Sequence, residues 1–194
     1  RSFENIFRSR KVGIVDKERD HILIGYERHD VGRPDDQGYP VRGIIKDNYL
    51  YLKNFKNERW PSGDPITGYL NTDGSPSKSL ILAWNRKDQG EPYWSLCFGK
   101  RGVEELYRID TDPGCINDLS RDADYAGIKE KLDDQMMREL QEQGDPRALG
   151  NEDIFDNYMY ADEKTRNFYN RYMRGEVSRR AAGWVDSTDF EDRE

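Results

Sequence analysis

The stretch Ile22-Leu-Ile-Gly-Tyr-Glu-Arg-His-Asp30 begins as a short apolar run and ends in a cluster of charged residues. An apolar run of this length is typical of a buried strand. The charges continue through Arg33, Asp35 and Asp36. Binding residues are often found where a rigid strand passes into a loop, so we interpret the end of this strand as the edge of a binding site. An ordinary strand that runs into a solvated turn explains the same pattern, and the residues alone leave both interpretations open.

Two further β-rich runs follow, from Tyr39 to Lys46 and from Tyr49 to Phe55. The pair Asp47-Asn48 between them tolerates the dihedral angles of a tight turn, so the pattern predicts a hairpin. The alternation of a strand places Arg42 on the same face as Ile44. Arg42 therefore reaches either a pocket or an acidic partner, and pairing is the commoner role.

Residues 56 to 100 contain nine glycines and prolines, a density that predicts one long loop rather than regular elements. Loops of this size inside a compact domain are uncommon and tend to be functional or mobile. The aromatic residues of this segment either form a platform for stacking a sugar ring or anchor the segment to its own domain, which is the more common use of such rings. They are Trp60, Tyr69, Trp84, Tyr93 and Trp94.

A short strand is predicted from Glu105 to Ile109, and a helix from Ser120 to Gln143 with Ser120 as its N-cap. The sequence Gly144-Asp-Pro146 ends this helix. Residues on one face recur at helical spacing: Tyr125, Ile128, Leu132, Met136 and Leu140. Lys129 and Glu130 are expected on the outer face.

A last helix is predicted from Asp162 to Arg174, with an apolar face formed by Phe168, Tyr169, Tyr172 and Met173. The acidic remainder, which ends in Asp186-Ser-Thr-Asp-Phe-Glu-Asp-Arg-Glu194, is expected to be loosely held. Because the chain starts at Arg1 without a convincing start signal, we expect it to be preceded by further sequence.

The composition limits the classes of function. Of the 194 residues, 35% are hydrophobic and 36% are charged, which suits one rather polar domain with a tail. The net charge of -7 and the lack of a basic run argue against nonspecific nucleic-acid binding. No apolar stretch is long enough to cross a bilayer, so we expect no membrane partner.

Cysteines and histidines are too few for several kinds of chemistry. Cys97 and Cys115 make neither a disulfide framework nor a zinc spacing. A Ser-His-Asp or Cys-His centre would have to use His21 or His29, the only histidines. No Gly-x-Ser-x-Gly elbow supports such a centre.

A set of motifs between about residues 20 and 150 carries a family resemblance. They are Gly25-Tyr-Glu-Arg-His-Asp30, Gly38-Tyr-Pro-Val-Arg42, Tyr49-Leu-Tyr-Leu-Lys-Asn-Phe55, Arg59-Trp-Pro-Ser-Gly63, Phe98-Gly-Lys-Arg101, Glu104-Glu-Leu-Tyr107, Asp112-Pro113 and Asn117-Asp-Leu119. Together they resemble the C-terminal part of a sulfatase, in particular of bacterial enzymes similar to heparan N-sulfatase (sulfamidase). The closing element, Glu-Leu-Tyr followed by Asp-Pro and Asn-x-Leu, is quite specific to sulfatases.

The resemblance implies an α+β fold in which a small antiparallel sheet is packed by a helix, with a long aromatic Gly/Pro-rich loop and a helical tail. Residues 1–150 would form the sulfatase-like C-terminal domain, and residues 151–194 a helical and acidic tail. The implied partner is the large N-terminal α/β domain of the same protein, of alkaline-phosphatase type. The implied location is periplasmic or secreted.

Sulfatases hydrolyse sulfate esters or sulfamates with a formylglycine made from Cys or Ser in a Cys/Ser-x-Pro-x-Arg motif, beside a calcium ion. That motif is absent here, because Cys97 precedes Phe98-Gly-Lys-Arg101 and Cys115 precedes Ile116-Asn-Asp-Leu119. The resemblance therefore implies that the nucleophile and the calcium ligands lie upstream. This chain would hold no cofactor and no catalytic residue, and would be inactive alone.

What the resemblance leaves to this chain is recognition of a sulfated sugar by Glu27, Arg28 and His29, with Arg42 nearby. An arginine fork suits bidentate contact with a sulfate, and His29 can donate to an anion or to a sugar hydroxyl. Two hypotheses stay open: the C-terminal portion of a sulfatase acting on a sulfated glycan, and a noncatalytic carbohydrate-binding or interaction module. A phosphohydrolase of the same superfamily is a weaker third.

Overall fold

The computed structural model describes residues 2–192 and contains one four-stranded antiparallel sheet in the order β1-β2-β3-β4. Each strand pairs with its neighbour in sequence, so β1 and β4 form the two edges of the sheet. The strands are β1 (His21–Tyr26), β2 (Val41–Lys46), β3 (Tyr49–Asn54) and β4 (Glu104–Arg108). The expected α+β class with a small antiparallel sheet is confirmed.

Five α-helices occur in the described residues, and none of them is long and apolar enough to span a membrane. They are α1 (Glu4–Phe7), α2 (Pro76–Asn85), α3 (Tyr93–Phe98), α4 (Ala126–Glu142) and α5 (Phe168–Met173). Short 3-10 helices lie between and after them, at Pro34–Asp36, Pro65–Thr67, Ala123–Tyr125, Glu152–Asn157, Arg179–Ala181 and Ser187–Asp189.

The predicted hairpin is confirmed as β2 and β3. Its two turn residues have positive φ, 50° at Asp47 and 65° at Asn48, and Lys46 pairs with Tyr49 across the turn. Two consecutive left-handed residues match the right-handed twist of the strands, which is why this turn favours Asp and Asn. The register of the hairpin follows from that turn.

Helix α4 covers one face of the sheet. A row of side chains, one from each strand, lies beneath it: Leu23, Ile44, Tyr51 and Leu106. The apolar stripe of α4 packs on this row through the buried residues Leu132, Met136 and Leu140. The predicted packing face of the helix is confirmed.

Charged contacts surround this core. Lys53 Nζ lies 2.9 Å from Asp133, and Lys129 Nζ lies 2.8 Å from Glu104 on β4. The expectation that Lys129 lies on the outer face is therefore wrong, whereas Glu130 is exposed as expected. The reason is that the sheet is wider than the apolar stripe, so the flanks of α4 also contact strand residues.

The predicted start of α4 is also wrong. The helix begins at Ala126, and the Ser120 hydroxyl donates to Asp118 at 3.0 Å instead of capping it. Asp122 caps the preceding 3-10 turn, because its carboxylate accepts from the amide of Asp124 at 3.0 Å. The predicted end is confirmed by Gly144, which has a φ of 77° just past the helix.

Strand β1 is not the buried strand that its apolar run predicts. The side chains of Ile22 and Ile24 are 61% and 37% exposed, and they lie on the face of the sheet opposite α4. Only Leu23 from this run packs against the core under α4. An unbroken apolar run indicates burial on both faces only for a central strand, and β1 is an edge strand.

The prediction of one long loop over residues 56 to 100 is wrong, because helices α2 and α3 form within it. Ser75 caps α2 by accepting from the amide of Lys78 at 3.2 Å, and Pro76 occupies the first helical position. The prolines thus mark where regular structure begins rather than its absence.

Anchoring is confirmed for three aromatic residues of this segment. The rings of Trp60 and Trp94 have centroids 6.2 Å apart, and Trp60 also meets the buried ring of Tyr69 at 6.3 Å. Trp84 and Tyr93 remain 38% and 55% exposed.

The tail is held more firmly than expected. Ala182 and Phe190 are buried with Val31 and Leu70, and the Trp184 indole donates to the Leu70 carbonyl at 3.0 Å. The prediction of a loosely held tail, made from its acidic composition, is wrong because a few apolar residues lie between the charges and pack on the segment after β1. The last helix is shorter than predicted, since α5 begins only after residue 167, which has a φ of 55°.

Candidate functional site

The end of β1 and the turn that follows it lie beneath the segment 152–160 of the tail. The chain leaves β1 at Glu27, passes a 3-10 turn at Pro34–Asp36, and returns so that the Tyr39 amide donates to the Glu27 carbonyl at 2.9 Å. We call this region the strand-end junction, defined by residues 27–30, Arg42, 145–147 and 155–160. It contains all four residues that the sequence analysis predicted to bind the substrate.

Two of the four nominated residues bind each other. Glu27 Oε1 accepts from Arg42 Nη2 at 2.6 Å, and Glu27 Oε2 accepts from Arg147 Nη2 at 2.9 Å. Arg42 Nε also donates to Asp145 Oδ2 at 2.8 Å. Arg42 and Arg147 are only 5% and 3% exposed, and the ring of Phe155 lies 5.9 and 5.3 Å from their guanidinium carbons. Arg42 therefore takes the ion-pair role that was the commoner of its two alternatives.

A glycine permits the tight return of the chain at this junction. A Cβ added at Gly38 would lie 2.5 Å from the Glu27 carbonyl oxygen, closer than any real contact. Gly38 therefore allows the Tyr39 amide to reach that carbonyl, which fixes where Glu27 sits relative to β2.

The guanidinium group of Arg28 is held by two backbone carbonyls. Its Nη1 donates to the Asp36 carbonyl at 3.0 Å and its Nη2 to the Tyr158 carbonyl at 2.8 Å, while the Tyr160 ring lies 5.4 Å from its Cζ. A crevice of about 180 Å³ opens between Arg28 and Phe155. A guanidinium has five N–H donors, so these two bonds leave donors available to a ligand.

His29 is exposed and has no hydrogen-bond partner within residues 2–192. Beside it, Asp30 accepts from the Val31 amide at 2.7 Å and from the Tyr160 hydroxyl at 3.3 Å. Burial raises the pKa of Asp30 despite these bonds. His29 is thus the nominated residue with the most freedom to contact a ligand.

Several residues of the junction were missed by sequence reasoning because they lie far along the chain. They are Asp145, Arg147, Phe155, Tyr158 and Tyr160. Asp145 was interpreted only as part of a helix stop, although its carboxylate also accepts from the Arg147 amide at 2.9 Å. An acidic residue between a helix-ending glycine and a proline gives no hint of a partner on β2.

Arg28 keeps guanidinium donors that no described residue uses, so the junction can bind an anion. None of Glu27, Arg28, His29 and Arg42 carries a hydroxyl or thiol, and the Glu27 carboxylate is engaged by two arginines. Among the described residues, no three His, Cys, Asp or Glu side chains are grouped closely enough to hold a metal ion. Cys97 and Cys115 are both free thiols.

Comparison with known proteins adds no assignment. No protein-family model matches the chain, and no curated protein matches it.

Proposed function

We propose that this chain is the C-terminal portion of a sulfatase that hydrolyses sulfate ester or sulfamate groups of a sulfated glycan, and that it contributes recognition of the sugar. The nucleophile and the metal site would belong to the N-terminal domain of the same protein, which the sequence motifs imply. The support is the set of motifs together with a small antiparallel sheet packed by one helix. The fold proposed in finer terms is that of a sulfatase C-terminal domain.

The observation that carries the recognition role is the pair Arg28 and His29 at the end of β1. Arg28 is fixed by two carbonyls yet keeps unused donors, and His29 is exposed beside it. A pre-positioned guanidinium binds a sulfate or carboxylate group with little loss of side-chain entropy. In this proposal Glu27 and Arg42 do not contact the sugar. Their ion pair holds the turn in which Arg28 lies.

The noncatalytic carbohydrate-binding module remains the second candidate, favoured by one observation. Tyr158 lines the crevice beside Arg28 and is 56% exposed, as a ring that stacks on a sugar would be. The reading frame upstream of Arg1 separates the two candidates. A Cys/Ser-x-Pro-x-Arg motif there supports the sulfatase, and a complete frame without that motif supports the module.

The recognition role is tested by Arg28→Ala in the complete enzyme. Loss of one charge-assisted contact, about 1.5–3 kcal/mol, should lower kcat/KM on the sulfated glycan by about 10- to 100-fold. Turnover of a small aryl sulfate should fall much less, because it lacks the sugar groups that Arg28 orients. His29→Ala should act in the same direction without changing the melting temperature, since it breaks no hydrogen bond within the described residues.

The matched control is Arg180→Ala, which removes an exposed arginine of the tail. This variant should leave both substrates unaffected. An equal loss on glycan and aryl sulfate in Arg28→Ala, with a lower melting temperature, would show that Arg28 only holds the junction together and would defeat the recognition role.

A further inference from the structure

The face of the sheet opposite α4 carries a second cavity, separate from the strand-end junction. Its volume is about 580 Å³, within the range of about 300–1,000 Å³ that is common for sites binding small molecules. One side is apolar, formed by Val41, Leu50 and Leu52 of the sheet and by Ile116, which is 60% exposed. The other end is polar and contains Tyr39, Arg101 and Glu105. The cavity is therefore amphipathic.

The hydroxyl of Tyr39 is the first sign that this cavity takes a ligand. Tyr39 is 3% exposed and lines the cavity, yet its Oη has no hydrogen-bond partner among the described residues. Burial raises the pKa of Tyr39, so the hydroxyl keeps its proton and can donate. Buried polar atoms are nearly always paired, and an unpaired one is unfavourable, so this donor lacks an acceptor that a bound molecule could supply.

The positive charge of two arginines near the polar end is the second, independent indication that the cavity binds a ligand. Arg33 is 2% exposed and donates to the carbonyls of Trp60 and Pro61, each at 2.7 Å, and its Cζ lies 5.9 Å from the Tyr39 ring. Arg101, which lines the cavity, donates to the Leu96 carbonyl. Neither guanidinium has a carboxylate within 4 Å in the described part of the chain.

Glu105 is the acidic residue on the lining in the described part of the chain, and both of its carboxylate oxygens already have partners. Its Oε1 accepts from Asn54 Nδ2 at 2.7 Å, and its Oε2 accepts from the Tyr107 hydroxyl at 2.6 Å. Arg101 therefore lines the cavity with no carboxylate partner among the described residues, Arg33 lies near the Tyr39 ring, and the oxygens of Glu105 have other partners. The polar end of the cavity favours an anion.

We propose that this cavity is a binding site for a small amphipathic monoanion, whose apolar chain or ring lies on Leu50 and Leu52 and whose carboxylate-like head group is bound by Arg101 and the Tyr39 hydroxyl. Arg33 favours the same head group through its field rather than by contact. This site lies on the face of the sheet away from α4 and does not depend on the function proposed for the strand-end junction.

The test compares octanoate with octanol, which has the same chain without the charge. Binding to the 194-residue chain would be measured by calorimetry below the micellar range. A charge-assisted head-group contact should make octanoate bind at least about 10-fold more tightly than octanol. Arg101→Gln, which keeps an amide donor for the Leu96 carbonyl, should remove that preference. Arg180→Gln, an exposed arginine that does not line the cavity, should retain it.

Tyr39→Phe provides a variant that is expected to fold well. It deletes only the unpartnered hydroxyl, so the melting temperature should be equal to or higher than that of the parent, while octanoate binding should weaken by about 5- to 10-fold. A second measurement uses Cys97 and Cys115, which both line the cavity. Saturating octanoate should slow their alkylation by iodoacetamide, as followed by intact mass.

Three results would overturn the proposal. One is equal affinity for octanol and octanoate. Another is unchanged octanoate binding in both Arg101→Gln and Tyr39→Phe. The third is a dimer in sedimentation experiments that excludes octanoate, because that would assign this face of the sheet to a second copy of the chain.

Discussion

The core under α4 and the strand-end junction are held together by different physics. The core joins Leu23, Ile44, Tyr51 and Leu106 to one helix mainly through apolar side chains. The junction joins Glu27 and Arg42 to residues 145–147 through paired charges that are mostly removed from water. Apolar burial stabilises without regard to direction, whereas a partly buried ion pair requires one geometry. The comparison suggests that the core supplies stability and that the junction supplies position.

The largest expected effect comes from the core. Leu132→Ala removes a side chain that is 6% exposed and packs in the cluster under α4. The lost burial and the remaining cavity should lower the free energy of unfolding by about 2–5 kcal/mol. Urea unfolding monitored by circular dichroism would measure it. Glu130→Ala on the exposed side of α4 is the control and should change stability by less than about 0.5 kcal/mol.

A parent-like transition for Leu132→Ala would show that α4 does not rest on the sheet through this stripe. Such a result would also contradict the view that the core contributes more to stability than the junction does.

The second prediction concerns the junction and sharpens the comparison. Arg147→Met leaves Glu27 with Arg42 as its remaining partner, and the Glu27 side chain is 24% exposed. We expect a loss of about 2–3 kcal/mol, less than for a fully buried pair, because water can reach the carboxylate. The double variant Arg147→Met with Glu27→Gln should recover part of this loss, since the single variant leaves the two carboxylates of Glu27 and Asp145 on one guanidinium, that of Arg42, and Glu27→Gln removes the excess negative charge.

Full additivity of these two changes would contradict the ion-pair account. A double-mutant cycle on thermal or urea unfolding would measure the coupling, which should be clearly nonzero for side chains that donate and accept directly.

The same contrast decides how much the sequence could predict. The hairpin and the packing face of α4 were predictable because Asp47-Asn48 and the spacing of Leu132, Met136 and Leu140 act over a few residues. The two helices α2 and α3 were missed because glycine and proline were interpreted as breaking structure, whereas Pro76 begins a helix capped by Ser75.

Only the part of the strand-end junction that directly follows β1 could be predicted from the sequence. The run from Glu27 to His29 stands out in the sequence, but Arg42 and Asp145 are 103 residues apart, and Glu27 and Arg147 are 120 apart. No local rule selects one acidic partner from the 38 acidic residues of the chain. The tail was misjudged for the same reason, because Trp184 finds Leu70 only in the folded chain.

The smallest expected effect is a pH dependence at the edge of the core. His21 on β1 has its Nδ1 2.8 Å from Asp20 and its Nε2 2.8 Å from Glu139 on α4. The hydrogen bond to Asp20, followed by the bond to Glu139, raises the pKa of His21 above 6.5 in the folded protein, against the opposing effect of burial. Both bonds are strongest when the imidazole is charged and each ring nitrogen donates.

A group whose pKa is raised on folding stabilises the protein fully below its unfolded pKa and loses that contribution as pH rises through the folded value. His21 should therefore stabilise the protein at pH 6 and contribute less at pH 8. Because Asp20 is about half exposed and Glu139 is partly exposed, we expect an effect of about 0.2–1 kcal/mol. We would measure the difference in unfolding free energy between the parent and His21→Gln at both pH values, with His29→Gln as the control for the other histidine. The difference should be larger at pH 6, and a difference that is constant or that grows toward pH 8 would show that His21 does not link β1 to α4 by charge.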